Sequence, residues 1–116
     1  MKTRKATNFM GGTLPLRRWS NAQLQQLIRH LATLSERVIF TVHAYERMAV
    51  RSVSDLEVLE CLRQGVIQRP PQTDNSTGSL KCRMEFFGTS RNLALVVALD
   101  DEDPDVVVVT VITRTR

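Results

Sequence analysis

The sequence predicts an α+β fold in which two to three N-terminal helices pack on a three- to four-stranded antiparallel sheet. Apolar residues recur at helical spacing up to residue 65, and each such segment follows a Ser or Thr that can cap a helix. From residue 66 onward the apolar residues alternate or run continuously, as they do in strands. Short polar turns separate these runs, which indicates antiparallel neighbours.

The first helix is predicted over about residues 21–35. Ser20 and Gln23 have the spacing of a capping box, in which each residue satisfies a backbone N–H near the other. An apolar stripe follows, formed by Leu24, Leu27, Ile28, Leu31 and Leu34. The next segment, RVIFT at 37–41, is expected to be a short apolar link.

Two shorter helices are predicted after this link. The second covers about residues 42–50 and is capped by Thr41. The third follows Ser54, which forms a second capping box with Glu57, and it ends at Gly65. The residues of this helix that we expect to face inward are Leu56, Val58, Leu59 and Leu62.

Strands are predicted over 66–71, 80–87, 93–99 and 106–113. The segment 80–87 alternates apolar and polar residues, which is typical of a half-buried strand, while the last two are apolar throughout and suit central strands. The acidic run DDEDPD at 100–105 lacks the spacing of a calcium loop and is expected to be a solvated hairpin turn.

Length and composition suit a single domain with a modest core, since the chain has 116 residues of which 42% are apolar. We assign residues 1–18 to a flexible basic lead-in, because glycines and a proline interrupt any regular period there, and residues 19–116 to the domain. No apolar run suits a membrane span or a secretory signal. Two cysteines are too few for a disulfide framework or a zinc site. We therefore expect a cytoplasmic protein without membrane association, metal or cofactor.

The charge is distributed unevenly along the chain. Residues 1–51 contain nine Lys or Arg and two Glu, whereas residues 52–116 contain seven Lys or Arg and ten acidic residues. A basic first half favours an anionic partner such as RNA or DNA. The alternative is a soluble protein with an uneven surface.

Three basic side chains follow one another at four-residue spacing, at His43, Arg47 and Arg51. Residues so spaced lie on one side of a helix. An imidazole can exchange a proton near neutral pH, and a guanidinium offers a planar fork of donors to a phosphate. Such a set could cleave RNA without a metal, with His43 as general acid or base and both arginines stabilising charge on the phosphate. The alternative is an ordinary solvated helix face.

Other candidate residues lie on the predicted strands. Lys81 and Arg83 occupy the polar face of strand 80–87. They either steer RNA, if that face turns toward the second helix, or only keep the sheet soluble. Thr110 and Arg114 lie in and after the last strand, where they either border a cleft or belong to a frayed basic tail.

The segment HAYERMAVRSVSDLEVLECLRQGVI, followed by a polar loop, an alternating strand and VVVVTVIT, resembles the bacterial domain-of-unknown-function family numbered 4258. The resemblance covers about residues 38–114 and excludes the first helix. The family pattern is roughly His-x-x-x-Arg-Met-x-x-Arg with a later Gly and Thr, and these positions are occupied here by His43, Arg47, Met48, Arg51, Gly65 and Thr110.

That family is similar to the small α+β ribonuclease toxins of the RelE/ParE and barnase-EndoU-colicin group. The resemblance implies a toxin-like, metal-independent endoribonuclease acting on RNA phosphodiesters, with His43, Arg47 and Arg51 as catalytic residues and Thr110 in the site. A toxin would have an acidic antitoxin or immunity protein as its partner. Two other functions stay open: a non-catalytic nucleic-acid-binding or regulatory protein, and a protein-interaction module of mobile-element origin that pairs through a sheet edge.

Overall fold

The fold consists of three helices and a five-stranded sheet, and four of the five strands follow the last helix in the sequence. The computed structural model describes residues 14–88, 91–102 and 105–115, with side chains as far as residue 113. The helices are α1 (Asn21–Leu31), α2 (Val42–Arg51) and α3 (Asp55–Gln64). None of the helices in these ranges is long and apolar enough to cross a membrane. The strands are β1 (Val38–Phe40), β2 (Gln72–Thr73), β3 (Leu80–Phe87), β4 (Arg91–Leu99) and β5 (Val106–Thr115).

The sheet is mixed, which corrects the expectation of a three- to four-stranded antiparallel sheet. Its strand order is β1-β5-β4-β3-β2. β1 runs parallel to β5, with Val38 opposite Val106 and Phe40 opposite Val108, and every other pair is antiparallel. The segment 37–41 was expected to be a link because three residues are too few to show alternation. The pairing comes instead from β5, far away in the sequence.

The first turn of each helix confirms the predicted caps. Ser20 begins α1 and Ser54 begins α3, and in both cases the reciprocal capping box is formed, with Gln23 and Glu57 as the second members. Thr41 begins α2, and its hydroxyl oxygen accepts the Ala44 N–H. All three predicted helices are therefore present, each starting where its cap predicts.

An arginine side chain from each of α1 and α3 caps the C-terminal end of the other helix. Arg63 of α3 donates from Nε to the Ala32 carbonyl at 2.8 Å. Arg29 of α1 donates to the Gly65 carbonyl at 2.7 and 3.1 Å. The last carbonyls of a helix have no partner within it, so these side chains satisfy acceptors that would otherwise need water. α1 ends at Leu31, four residues earlier than expected.

Gly65 ends α3 as predicted, but close packing explains the glycine. Its backbone is extended (φ −75°, ψ 178°), a conformation open to any residue. A Cβ atom here would collide with the Cys61 carbonyl and lie 2.8 Å from the carbonyl oxygen of Glu85. Val66 and Glu85 then exchange two hydrogen bonds of 2.8 Å. This isolated bridge replaces the strand expected over 66–71.

The three helices pack against one face of the sheet. On α3 the buried stripe consists of Val58, Cys61 and Leu62. Leu56 was expected to face inward, but it is 76% exposed because it lies outside this stripe. On the sheet, the members of the buried core cluster are Leu80, Cys82, Met84, Leu93, Leu95, Val97, Leu99, Val106, Val108 and Val111. They alternate along β3 and β4, as a half-buried sheet requires, and an irregularity in β5 shifts the alternation between Val108 and Val111.

Part of the segment assigned to the lead-in packs on the domain. Leu16 is buried, and its N–H donates to the Asp101 carboxylate at 2.7 Å in the turn between β4 and β5. The Trp19 indole N–H donates to the Leu14 carbonyl at 3.0 Å. Residues 1–13 of the expected lead-in lie outside the described residues. The packed body of the chain therefore includes Leu16.

Candidate functional site

The start of α2 is fixed to an irregularity in β5. The Thr41 hydroxyl lies 3.1 and 3.2 Å from the carbonyl oxygens of Val108 and Val109, to which it donates. Val109 is an extra residue, because the pairing of β4 with β5 shifts register at this point. Such a β-bulge turns successive carbonyls toward the same side. One hydroxyl therefore joins the bulge to the helix that it caps.

His43, Arg47 and Arg51 lie at successive helical turns, and we call them the basic flank of α2. Ala44 and Met48 on the neighbouring side of the helix are buried in the core. Arg51 donates from Nε to the Val111 carbonyl at 3.3 Å. This contact places the C-terminal end of the basic flank at the outer edge of β5, and the helical spacing places Arg47 and His43 one and two turns before it.

The members of the basic flank differ in exposure. His43 is exposed, whereas Arg47 and Arg51 are partly buried. Within the part of the chain that the structure describes, the side chains of His43 and Arg47 have no hydrogen bond or ion pair, while the Arg51 side chain is anchored to β5. One imidazole and one guanidinium are thus available to a ligand. The third group can offer its remaining N–H donors.

The face of the sheet turned away from the helices carries the other candidates, and we call it the open face. Directly paired residues of antiparallel strands point to the same side. The register therefore places Arg83, Val96 and Thr110 in one row across β3, β4 and β5. Lys81 lies two residues before Arg83 and shares this face. Beside Thr110, the open-face positions between residues 94 and 112 of β4 and β5 are aliphatic: Ala94, Val96, Ala98, Val107 and Ile112. Asn92 and Arg114 occupy the last row of this face.

Lys81 and Arg83 do not join the basic flank around one phosphate. β4 and β5 lie between β3 and α2, so Arg83 is two strand spacings, about 10 Å, from the Thr110 position. Both cations also have carboxylate partners. Lys81 Nζ lies 3.3 Å from Asp74 Oδ2, and Arg83 Nε lies 3.2 Å from Glu85 Oε2. Arg114 lies on β5, but its side chain is outside the described residues.

Arg91 is important for the geometry of α2, and the sequence patterns did not single it out. Its guanidinium donates to the carbonyls of Arg51 at 3.1 Å and Ser52 at 2.8 Å, and it pairs with both carboxylate oxygens of Glu57 at 2.8 Å. The pKa of Glu57 is lowered, first by the Arg91 guanidinium and then by the Ser54 N–H. Arg91 therefore holds the end of α2 against α3 and β4.

The two cysteines are buried under the helices. Burial raises the pKa of both thiols, Cys61 and Cys82, to about 12, so both stay protonated at neutral pH. The Cys61 thiol donates to the Met84 carbonyl at 3.6 Å. Within residues 14–88, 91–102 and 105–115, no three His, Cys, Asp or Glu side chains form a group that could hold a metal ion.

Comparison with known proteins gives a family match for most of this architecture, from the end of β1 into β5. The model of a family described as "Domain of unknown function (DUF4258)" matches residues 40–113. The match begins at the last residue of β1, includes the whole basic flank, and extends into β5. No curated protein and no solved structure matches the chain.

Proposed function

This chain belongs to the DUF4258 family, and we propose that it is a toxin-like, metal-independent endoribonuclease acting on RNA phosphodiesters. The observation that supports the proposal is the basic flank. It presents an exposed imidazole, and a guanidinium with no partner among the described residues, on a helix whose start and end are both fixed to the sheet. Preorganised groups of this kind are what phosphoryl chemistry needs from a protein.

In the proposed reaction His43 acts as the general base. Its imidazole takes the proton of a ribose 2′-hydroxyl, and the oxygen attacks the adjacent phosphorus. The bond from phosphorus to the 5′-oxygen breaks, and that oxygen takes a proton from water. The products are a 2′,3′-cyclic phosphate and a 5′-hydroxyl. Arg47 and Arg51 stabilise the charge that builds on the phosphate oxygens during attack.

The open face, on the other side of the sheet from α2, would extend the RNA-binding surface. Thr110 would offer its hydroxyl to the RNA from β5, the strand on which α2 packs. Lys81 and Arg83 would offer positive charge from β3, two strands away. Arg114 is proposed to contribute at the far end of β5. An acidic antitoxin or immunity protein in the bacterial cytoplasm would cover the same cations, because complementary charge accelerates association.

A second candidate, a non-catalytic nucleic-acid-binding or regulatory protein, is favoured by a specific observation. Three of the proposed cations are already engaged within the chain: Arg51 with the Val111 carbonyl, Lys81 with Asp74, and Arg83 with Glu85. Fewer free cations mean weaker charge stabilisation of a transition state. Such a protein would bind RNA with a steep salt dependence and leave it intact.

The test is cleavage of a 5′-labelled single-stranded RNA in EDTA by purified protein. The variants are His43→Gln, Arg47→Gln and the matched control His30→Gln, which removes the other histidine, on α1. We expect His43→Gln to lower the rate at least about 100-fold and His30→Gln to leave it unchanged. A 2′-deoxy substitution at the cleaved position should block the reaction.

The other outcomes separate the candidates. Intact RNA with retained binding by the unmodified protein supports the non-catalytic protein. A His43→Gln variant that cleaves within about threefold of the original rate excludes His43 as the general base. Growth arrest on expression, relieved by His43→Gln but not by His30→Gln, would support the toxin assignment independently.

A further inference from the structure

A groove of about 410 Å³ lies on the opposite side of the sheet from α2, where the open face meets the β2 edge. Its size falls within the range of pockets that hold small molecules. Two consecutive prolines and three cations contribute to its lining. The residues that matter for the argument are Arg69, Pro70, Pro71, Lys81, Arg83 and Val96.

The edge of β3 next to this groove has a one-residue gap in its pairing. On one side of the gap Lys81 pairs with Gln72 of β2, and on the other Glu85 exchanges two hydrogen bonds with Val66. Peptide groups of an antiparallel strand alternate in direction with a period of two. The N–H and C=O of Arg83, midway between those pairs, therefore also point to this edge. Neither group has a partner among the described residues.

The chain that passes this gap makes no bond to it. It runs through Pro70 and Pro71, and a proline has no N–H to donate to the Arg83 carbonyl. The groove thus offers a main-chain donor and a main-chain acceptor on one residue, next to two apolar rings. A nucleobase presents the complementary pair of an acceptor and a donor along one edge, and its flat face can lie on a proline ring.

The charges at the groove favour an anion. Arg69 is the least engaged cation: its side chain is 59% exposed, and its Nε lies 3.9 Å from Glu85 Oε2. Lys81 is 40% exposed and is held by Asp74 at 3.3 Å. With Arg83 the groove has three cations against these two carboxylates. A phosphate can therefore be accepted without removing any of the existing pairs.

We propose that this groove binds one nucleotide of a single-stranded RNA, with the base edge on the Arg83 main chain and the phosphate between Arg69 and Lys81. The inference deepens the proposed function and rests on it for the choice of RNA. Because β4 and β5 separate the groove from the basic flank, the nucleotide held here lies on the same RNA strand at a distance from the scissile phosphate and is not the one cleaved.

The test is a titration of the ¹⁵N-labelled protein with uridine 5′-monophosphate, followed at the Arg83 amide. We expect a saturable shift. N3-methyluridine 5′-monophosphate, which lacks the base donor, should bind about tenfold more weakly because it leaves the Arg83 carbonyl unpaired. Ribose 5-phosphate should be weaker by a similar factor. Arg69→Gln should weaken binding about fivefold, and the matched control Arg18→Gln, an exposed arginine outside the groove, should not change it.

Two results would overturn the inference. One is no saturable movement of the Arg83 amide at millimolar nucleotide, and the other is equal affinity for ribose 5-phosphate or the methylated base. Because the titration is followed at the Arg83 amide, a phosphate bound at the basic flank does not count as binding in the groove. Nucleotide binding at Arg83 without RNA cleavage refutes the ribonuclease and keeps the groove, whereas cleavage without binding here refutes the groove alone.

Discussion

Replacing Thr41 by Val should destabilise the protein more than the loss of an ordinary helix cap. The substitution keeps the shape of the side chain but removes its hydroxyl. The Ala44 N–H then loses its acceptor, which costs about 1 kcal/mol for an N-cap. The bond to the carbonyls of Val108 and Val109 is lost as well, for about another 1 kcal/mol. We expect a total of about 2 kcal/mol.

Two matched variants isolate the second contribution. Ser54→Ala removes an N-cap whose hydroxyl contacts only Glu57 among the described residues, so it should cost only about 1 kcal/mol. Thr41→Ser keeps both functions of the hydroxyl and should cost well under 1 kcal/mol. Urea unfolding followed by the fluorescence of Trp19, the single tryptophan and a buried one, measures all three. Equal losses for Thr41→Val and Ser54→Ala would refute a stabilising bond to the bulge.

Three further predictions concern other contacts. Arg91→Met should lower the free energy of unfolding by about 1–2 kcal/mol at pH 7. Because folding lowers the pKa of Glu57 from 4.5, the ionised carboxylate stabilises the folded protein above that pH, and this stabilisation is lost as the pH falls. Urea unfolding at decreasing pH should therefore show a smaller loss of unfolding free energy for Arg91→Met than for the unmodified protein. Gly65→Ala, which presses a methyl against the main chains of α3 and β3, should cost about 2 kcal/mol or more in urea. A thiol reagent should label Cys61 and Cys82 only after unfolding.

The elements that the sequence predicted well depend on neighbours within four residues. A capping box is complete in the sequence itself, so Ser20 and Ser54 located two helix starts without knowledge of the fold. The alternation in 80–87 likewise predicted which residues of β3 are buried. The parallel strand β1 could not be predicted in this way, because its pairing is with residues nearly 70 positions away and its three residues show no period.

The sequence predicted which basic residues share one side of α2, but it did not predict which basic residues are already paired with carboxylates. The four-residue interval placed His43 and Arg47 on one helix side. The pair between Arg83 and Glu85 joins residues two apart on one strand face, so period two alone could have suggested it. Arg91 contacts a residue 34 positions away, and the groove depends on a gap in main-chain pairing. The spacing of residue types along the sequence predicts neither of these two features.

Arg29 of α1 and Arg63 of α3 each bind carbonyls at the end of the other helix, so the unit that folds begins earlier in the chain than the family match does. α1 lies upstream of residue 40, where the family match begins, yet Leu24, Leu27 and Ile28 are fully buried in the shared core. A fragment cut at residue 40 would lose these side chains and the guanidinium that binds the last carbonyls of α3. The shortest fragment of this chain that we expect to fold therefore starts no later than Leu16, the first residue of a 3₁₀ helix.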